Sequence, residues 1–265
     1  MTRTWEFTDL EFKVLWERQL QSRILPEPLT YMSRTPLRDD YEREKFQTWE
    51  LLRDTVDGSM REVLEVISRP EVLVKVLGWN DADQEDPQQW IRARGVRSGA
   101  RGFLLAQKPG ETPWHSSGYT ITECGPWGVA DAVVGLLPKT LPGRSASIPI
   151  LTDRDADHER FDFGGSRITE TASTSTVSRS DQFFAVPATR TGVITIHQGH
   201  SKFGPRGILE RILVWRDLPE DGRYVIELDQ APVAVGIGDG RLVQKIDDLI
   251  AGMLQRLETH WESTD

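Results

Sequence analysis

The sequence contains a single cysteine, Cys124, and no long apolar run. One cysteine cannot form an internal disulfide, and this composition is typical of reducing compartments. Cys124 ends the apolar run Tyr119–Cys124, which favours a buried structural thiol over a nucleophile. Apolar runs such as Val133–Leu137 are far shorter than the roughly 20 residues of a membrane span, and no signal-peptide core follows Met1. We therefore expect a cytoplasmic protein with no membrane span.

Positive charge is outnumbered by negative charge. The 32 lysines and arginines are outnumbered by 41 aspartates and glutamates, which gives a formal net charge of −9. Proteins that bind nucleic acid depend on clustered lysine and arginine, and no basic run is present, so we expect no nucleic-acid partner. The 265 residues, 38% of them hydrophobic, are enough for one large domain or two small ones with a buried core.

No motif carries the complete residue set of a catalytic or cofactor site. The segment Gly236–Gly240 lies between a predicted strand and a predicted helix but lacks the third glycine of a dinucleotide motif. His197 and His200 have the spacing of two metal ligands, without a nearby third. The alternating acids of Asp153–Asp157 are followed by His158, where a calcium loop requires glycine. The sequence therefore predicts a protein that is not an enzyme and has no cofactor or metal.

Helical signals occur near both ends of the chain. Thr8 and Glu11 have the spacing of a capping box, which places a helix over Asp9–Gln21. Apolar residues at steps of three and four predict one long helix over Tyr41–Ile67 and another over Arg241–Trp261. A shorter apolar segment predicts a helix over Val129–Leu137.

Short β-rich runs alternate with these helices. The predicted strands are Val72–Trp79, Gly102–Gln107, Tyr119–Cys124, Gln182–Ala185, Val193–His197, Ile208–Trp215, Tyr224–Leu228 and Val233–Ile237. Strands followed by a closing helix occur once before residue 138 and again after 182, which favours an α+β domain with one antiparallel sheet covered by helices. Between these halves, residues 139–181 form a variable segment. It is charged and rich in serine and threonine from Asp153 to Ser180, which is typical of exposed, mobile chain.

Nine tryptophans stand out in a chain without catalytic motifs. Trp79, Trp90, Trp114 and Trp127 flank predicted loops. Tryptophan is enriched at the energetic centres of protein interfaces, so these four indicate a binding surface, with burial in the core as the alternative for each.

Six segments of the sequence form recognisable phrases: Trp5–Glu17, Pro70–Trp79, Gly95–Gly99, Gln107–Thr112, Ile121–Cys124 and Trp215–Tyr224. These phrases resemble the EspG family of type VII (ESX) secretion chaperones. The resemblance implies one pseudo-twofold α+β domain over residues 1–265, with a central twisted antiparallel sheet and flanking helical bundles. Its halves are residues 1–138 and 182–265. The middle segment is charged in this chain, whereas the corresponding segment looks more helical in relatives.

The resemblance also implies a function. EspG chaperones bind the hydrophobic helical tip of the PPE subunit of a PE/PPE heterodimer and keep it soluble for export. We expect contacts from two loops, at residues 79–89 and 198–206, in which acids select the partner and aromatics supply apolar area. The predicted partner-binding residues are Trp79, Asn80, Asp81, Asp83, Asp86, Gln198, His200, Lys202, Phe203 and Arg206. An EspG-like scaffold or regulator with a different partner, and a weak homodimer of the free protein, remain open alternatives.

Overall fold

Ten strands form one antiparallel sheet in the computed structural model, which describes residues 3–54, 56–145, 147–151, 179–200 and 207–262. The strands are β1 (Thr4–Phe7), β2 (Val72–Trp79), β3 (Ile91–Ser98), β4 (Arg101–Pro109), β5 (Ser116–Glu123), β6 (Ile148–Pro149), β7 (Arg190–Gln198), β8 (Glu210–Leu218), β9 (Gly222–Glu227) and β10 (Val233–Gly236). Their order across the sheet is β1-β5-β4-β3-β2-β7-β8-β9-β10-β6. The pairing of β2 with β7 therefore joins five strands of residues 1–138 to four strands of residues 182–265, and β6 of the middle segment completes the sheet at its far edge.

Six helices occur in the described residues; five cover the two faces of the sheet, and the second packs on the first. They are α1 (Asp9–Leu20), α2 (Arg38–Leu52), α3 (Gly58–Ser68), α4 (Val129–Gly135), α5 (residues 179–185) and α6 (Asp239–Glu262). None of the helices in the described ranges combines the length and the apolar character needed to cross a bilayer. The architecture is the mixed α+β domain with a central antiparallel sheet that the sequence predicts.

The first helix begins as the sequence predicts. The backbone N–H of Thr8 donates to the Glu11 carboxylate (2.8 Å), and the N–H of Glu11 donates to Thr8 Oγ1 (3.3 Å), so the capping box is complete. Phe7 and Phe12 pack across this start with ring centroids 6.1 Å apart. Local hydrogen bonds and one apolar contact therefore fix where α1 starts.

The single long helix predicted over Tyr41–Ile67 is wrong. Helix α2 ends at Leu52, and α3 begins at Gly58, where the Asp57 carboxylate accepts the backbone N–H of Met60 (3.1 Å) and caps the new helix. The apolar stripe continues across the break, so periodicity alone does not reveal it.

The strand predicted over Gln182–Ala185 is also wrong. These residues belong to α5, where Phe183 is buried against Tyr224 with their rings edge to face, 5.4 Å between centroids. A run of four residues is too short for its periodicity to distinguish a strand from a helix.

Two faces of the sheet carry separate cores. On the front face, α1 and α3 bury residues such as Phe12, Leu64 and Phe103 over β3, β4 and β5, and α5 covers β8 and β9. On the back face, α4 and α6 pack over the central strands in a second core. Trp215 is fully buried in this core. Its indole ring packs so close to Gly78 and Gly192 that a Cβ added to either glycine would meet the ring.

Candidate partner-binding surface

The loop between β2 and β3 is organised by its own polar side chains. Asn80 Oδ1 accepts the N–H of Ala82 (2.9 Å), and Asp83 Oδ1 accepts two backbone N–H groups, including that of Asp86 (3.1 Å). Asp86 in turn accepts the N–H of Gln88 (3.0 Å). Three of the predicted partner-binding residues therefore hold the loop in one shape by Asx-type turns.

Asp81, predicted as a partner contact, is directed into the protein. Its carboxylate accepts Arg216 Nη2 (3.2 Å) and the backbone N–H of Ala188 (3.2 Å). The Arg216 side chain is only 5% exposed and donates two further hydrogen bonds to the carbonyl oxygens of Phe183 (2.6 Å) and Val186 (2.7 Å). Asp81 therefore ties the β2–β3 loop to β8 and α5.

Trp79 and Trp90 form an aromatic pair at the base of this loop. Both are half-exposed, their ring centroids are 6.0 Å apart, and Trp90 Nε1 donates to the carbonyl oxygen of Gln84 (2.8 Å). The other two tryptophans predicted for a binding surface, Trp114 and Trp127, are 60% and 75% exposed. Trp79 thus presents a fixed apolar surface at the end of β2.

The second predicted loop lies at the opposite end of the sheet. Trp79 pairs with Thr191 and Val72 pairs with Gln198, so Trp79 and Gln198 are seven residues apart along β2, roughly 23 Å at strand spacing. Gln198 is 4% exposed, donates to the carbonyl oxygen of Met253 and accepts the N–H of Leu209. His200 is exposed, whereas Lys202, Phe203 and Arg206 lie outside the described residues. The structure therefore does not bring the two predicted groups together.

Between these two ends, the front face of the central strands is only half-covered. From Thr191 to Gln198 of β7, the residues on the back face are buried, whereas every intervening residue is half-exposed. We call this surface the open sheet face; it comprises Lys75, Leu77, Trp79, Thr191, Val193, Thr195, His197, Ile212 and Val214, all of intermediate exposure. Leu77 lies opposite Val193, and Val193 opposite Val214, which makes an apolar row across three strands.

A cleft of about 940 Å³ adjoins the open sheet face. Its walls come from the end of α1 and from α3, and Leu73, Lys75, Arg94 and His197 contribute from the strands. Burial lowers the pKa of Arg94 to about 10, so its guanidinium remains charged at neutral pH. Burial lowers the pKa of His197, and the positive charges of Lys75 and Arg94 lower it further. The His197 imidazole is therefore neutral at neutral pH.

Little in these surroundings resembles a catalytic centre. His197 Nε2 is buried without a hydrogen-bond partner among the described residues, and Nδ1 bonds the carbonyl oxygen of Gln198 (3.1 Å). Within the same described ranges, no group of three His, Cys, Asp or Glu side chains is arranged to hold a metal ion. The geometry offers apolar area, fixed loops and cationic side chains, which are the elements of a protein-binding surface.

Similarity to known proteins identifies the family of this chain. The sequence model of the EspG family matches residues 8–248, which is most of the chain. The chain belongs to the EspG family. No curated protein sequence matches it.

The fold of this EspG-family chain also occurs among solved structures, of which 14 chains match. One is the type VII secretion system chaperone EspG5 of Mycobacterium tuberculosis, solved in complex with the PE25-PPE41 dimer. The two chains superpose with a TM-score of 0.56 over 92% of this chain and 93% of that one, at 10% sequence identity. At that identity the likeness shows that the two proteins share a fold.

Proposed function

We propose that this chain is a cytoplasmic secretion chaperone, not an enzyme. It binds the PPE subunit of a PE/PPE heterodimer at its hydrophobic helical tip and keeps the heterodimer soluble for type VII (ESX) export. The observation that carries this proposal is the family match over residues 8–248. The EspG5 structure supports it, since EspG5 is a chaperone captured with a PE–PPE dimer on the same fold.

The open sheet face is the surface that we assign to the partner. Leu77, Val193 and Val214 form an apolar row there, and Trp79 extends it toward the β2–β3 loop. An exposed apolar tip promotes aggregation. Covering it removes apolar surface from water at about 25 cal/mol per Å², before the costs of association are subtracted. This task requires no reactive side chain.

The two predicted loops then act at opposite ends of one binding surface. Asn80, Asp83 and Asp86 belong to the loop at the Trp79 end, and His200 lies beyond Gln198 at the other, roughly 23 Å away along the strands. Two packed helices are roughly 20 Å wide, so a helical tip placed on the open sheet face reaches both ends. Lys202, Phe203 and Arg206 remain proposed contacts of the second loop.

Co-expression with a tagged PE/PPE pair tests the proposal. We expect the wild-type chain to copurify with the pair and to raise its soluble yield. Val193→Asp places a charge in the apolar row and abolishes copurification. Val235→Asp is a matched control, because Val235 is also a strand valine and is 41% exposed. Its neighbour in register, Val225, belongs to the back-face core, so Val235 lies on the opposite face of the sheet from Val193. Circular dichroism checks that both variants fold.

Two outcomes separate the alternatives. A PE/PPE pair that stays insoluble and unbound beside the folded wild-type chain contradicts the proposal and favours a scaffold or regulator with another partner. Equal copurification of Val193→Asp and Val235→Asp retains the chaperone function but removes the open sheet face from the interface. Light scattering of the free protein tests for a weak homodimer.

A further inference from the structure

Two cationic side chains lie directly opposite each other on the front face of the sheet. Lys75 of β2 pairs in register with Arg94 of β3, and Lys75 also belongs to the open sheet face. Like charges at directly opposed positions destabilise a sheet, so this pair works against folding. It occurs in a chain whose formal net charge is −9. We call Lys75 and Arg94 the cationic pair.

The cationic pair is incompletely neutralised. Both hydrogen bonds that Arg94 donates go to backbone carbonyl oxygens, those of Ile67 (3.1 Å) and Glu27 (3.2 Å). Lys75 Nζ lies 3.4 Å from Glu27 Oε2, but the Glu27 side chain is 80% exposed. Such an exposed ion pair is held weakly, because water screens it and both side chains are flexible. One loosely held carboxylate therefore faces two cations.

The surrounding cleft shares this excess of positive charge. Four cationic side chains and two carboxylates line it: Arg61, Arg69, Lys75, Arg94, Glu27 and Glu65. Glu65 is already paired with Arg61 (3.0 Å), which leaves Glu27 as the remaining carboxylate. At about 940 Å³ the cleft accommodates several side chains of a partner. It opens next to the apolar row, since Lys75 and Leu77 are alternate residues on one strand.

We propose that Lys75 binds carboxylate side chains that flank the apolar tip of the escorted partner and displace Glu27, while Arg94, only 7% exposed, adds its positive charge from within the sheet. This inference rests on the proposed function and adds the chemical class of partner that the chain selects: an apolar helical tip with aspartate or glutamate beside it. The carboxylate arrives with apolar surface that excludes water from the cleft. Its ion pair with Lys75 is therefore stronger than the exposed pair with Glu27, although salt still weakens the attraction between the two proteins.

Calorimetric titration with a purified PE/PPE dimer tests the cationic pair. Lys75→Glu is expected to weaken binding at least about tenfold at about 50 mM salt, and the loss shrinks to about threefold at 500 mM because salt screens the charges. Lys108→Glu is the matched control, since Lys108 is another strand lysine paired with one exposed glutamate, Glu6. Lys108 lies on β4 where it pairs with β5, away from the open sheet face. The Lys108→Glu variant is therefore expected to bind within about twofold of the wild-type affinity.

A second variant gives an effect of opposite sign. Glu27→Gln removes the carboxylate that competes for Lys75, so it tightens binding about two- to fivefold at low salt. Glu6→Gln is its control and leaves affinity unchanged. Because Glu27 is largely exposed, this variant does not depend on the tolerance of the sheet to a reversed charge.

The outcomes distinguish this inference from the proposed function. Wild-type affinity for Lys75→Glu, or a loss that is the same at both salt concentrations, overturns the role of the cationic pair. If Val193→Asp still abolishes binding, the chaperone function stands. Unchanged or weaker affinity of Glu27→Gln overturns the displacement of Glu27. Failure of the wild-type chain to bind any PE/PPE dimer contradicts the proposed function, and this inference with it.

Discussion

The link between Asp81 and Arg216 joins two segments that are far apart in the sequence, and its removal has a predictable cost. Asp81→Ala deletes a carboxylate that accepts Arg216 Nη2 and the N–H of Ala188, both at 3.2 Å. Arg216 is then left with its two carbonyl partners in a position where 5% of its side chain is exposed. The variant therefore tests whether the β2–β3 loop is anchored from within.

The magnitude follows from burial on the two sides of the link. Breaking a fully buried ion pair by removing one partner costs about 3–5 kcal/mol. The Asp81 side chain is 23% exposed and Arg216 keeps two hydrogen bonds, so we expect a loss of about 2 kcal/mol in the free energy of unfolding. For a chain of this size that loss corresponds to a melting temperature lower by about 4–8 °C.

Urea unfolding followed by circular dichroism measures this loss. Asp83→Ala is the matched control in the same loop, because the exposed Asp83 carboxylate accepts backbone N–H groups of its own turn. Its cost stays below about 1 kcal/mol, as for the loss of a local cap. An Asp81→Ala variant within about 0.5 kcal/mol of wild type, or equal losses for both variants, would refute the reasoning.

Three further predictions concern packing, helix propensity and the lone thiol. Gly192→Ala inserts a methyl group against the Trp215 indole and the Leu77 carbonyl, so we expect urea unfolding to show a free energy of unfolding lower by about 1–3 kcal/mol. A variant as stable as the wild type would contradict this packing. Gly252 lies inside α6, and no atom lies within contact of a Cβ added there. Gly252→Ala is therefore expected to raise the free energy of unfolding by about 0.5–1 kcal/mol in the same assay, and a lower value would contradict this prediction. Burial raises the pKa of Cys124 to about 11, so alkylation at pH 8 is on the order of a hundredfold slower than for an exposed cysteine; equal rates contradict this.

Elements whose signals are local are the ones that the sequence predicts well. The capping box at Thr8 and Glu11 places the start of α1, and the apolar run of β2 places that strand over Val72–Trp79 at both ends. In contrast, β3 is missed, because its three arginines hide its alternation. Arg92 and Arg94 are nevertheless almost buried, since backbone carbonyls distant in the sequence accept their N–H groups.

The binding surface, too, has parts with a local sequence signal and parts that depend on contacts between distant residues. The Trp79 end of the β2–β3 loop can be singled out from sequence, because an aromatic residue and several acids follow a clear strand. That Asp81 points inward depends on Arg216, which lies 135 residues further along the chain. The open sheet face depends on which side of β7 the helices cover, and the strand pattern alone does not determine this. Its signal is only that Val193 and Ile194 are both apolar although they point to opposite faces.

Size-exclusion chromatography of the chain co-expressed with a PE/PPE pair tests the central claim most directly. The wild-type chain is predicted to coelute with the pair as one soluble complex, and Val193→Asp, folded by circular dichroism, is predicted to elute alone. Separate elution of the wild-type chain from every soluble PE/PPE pair tried would contradict the account.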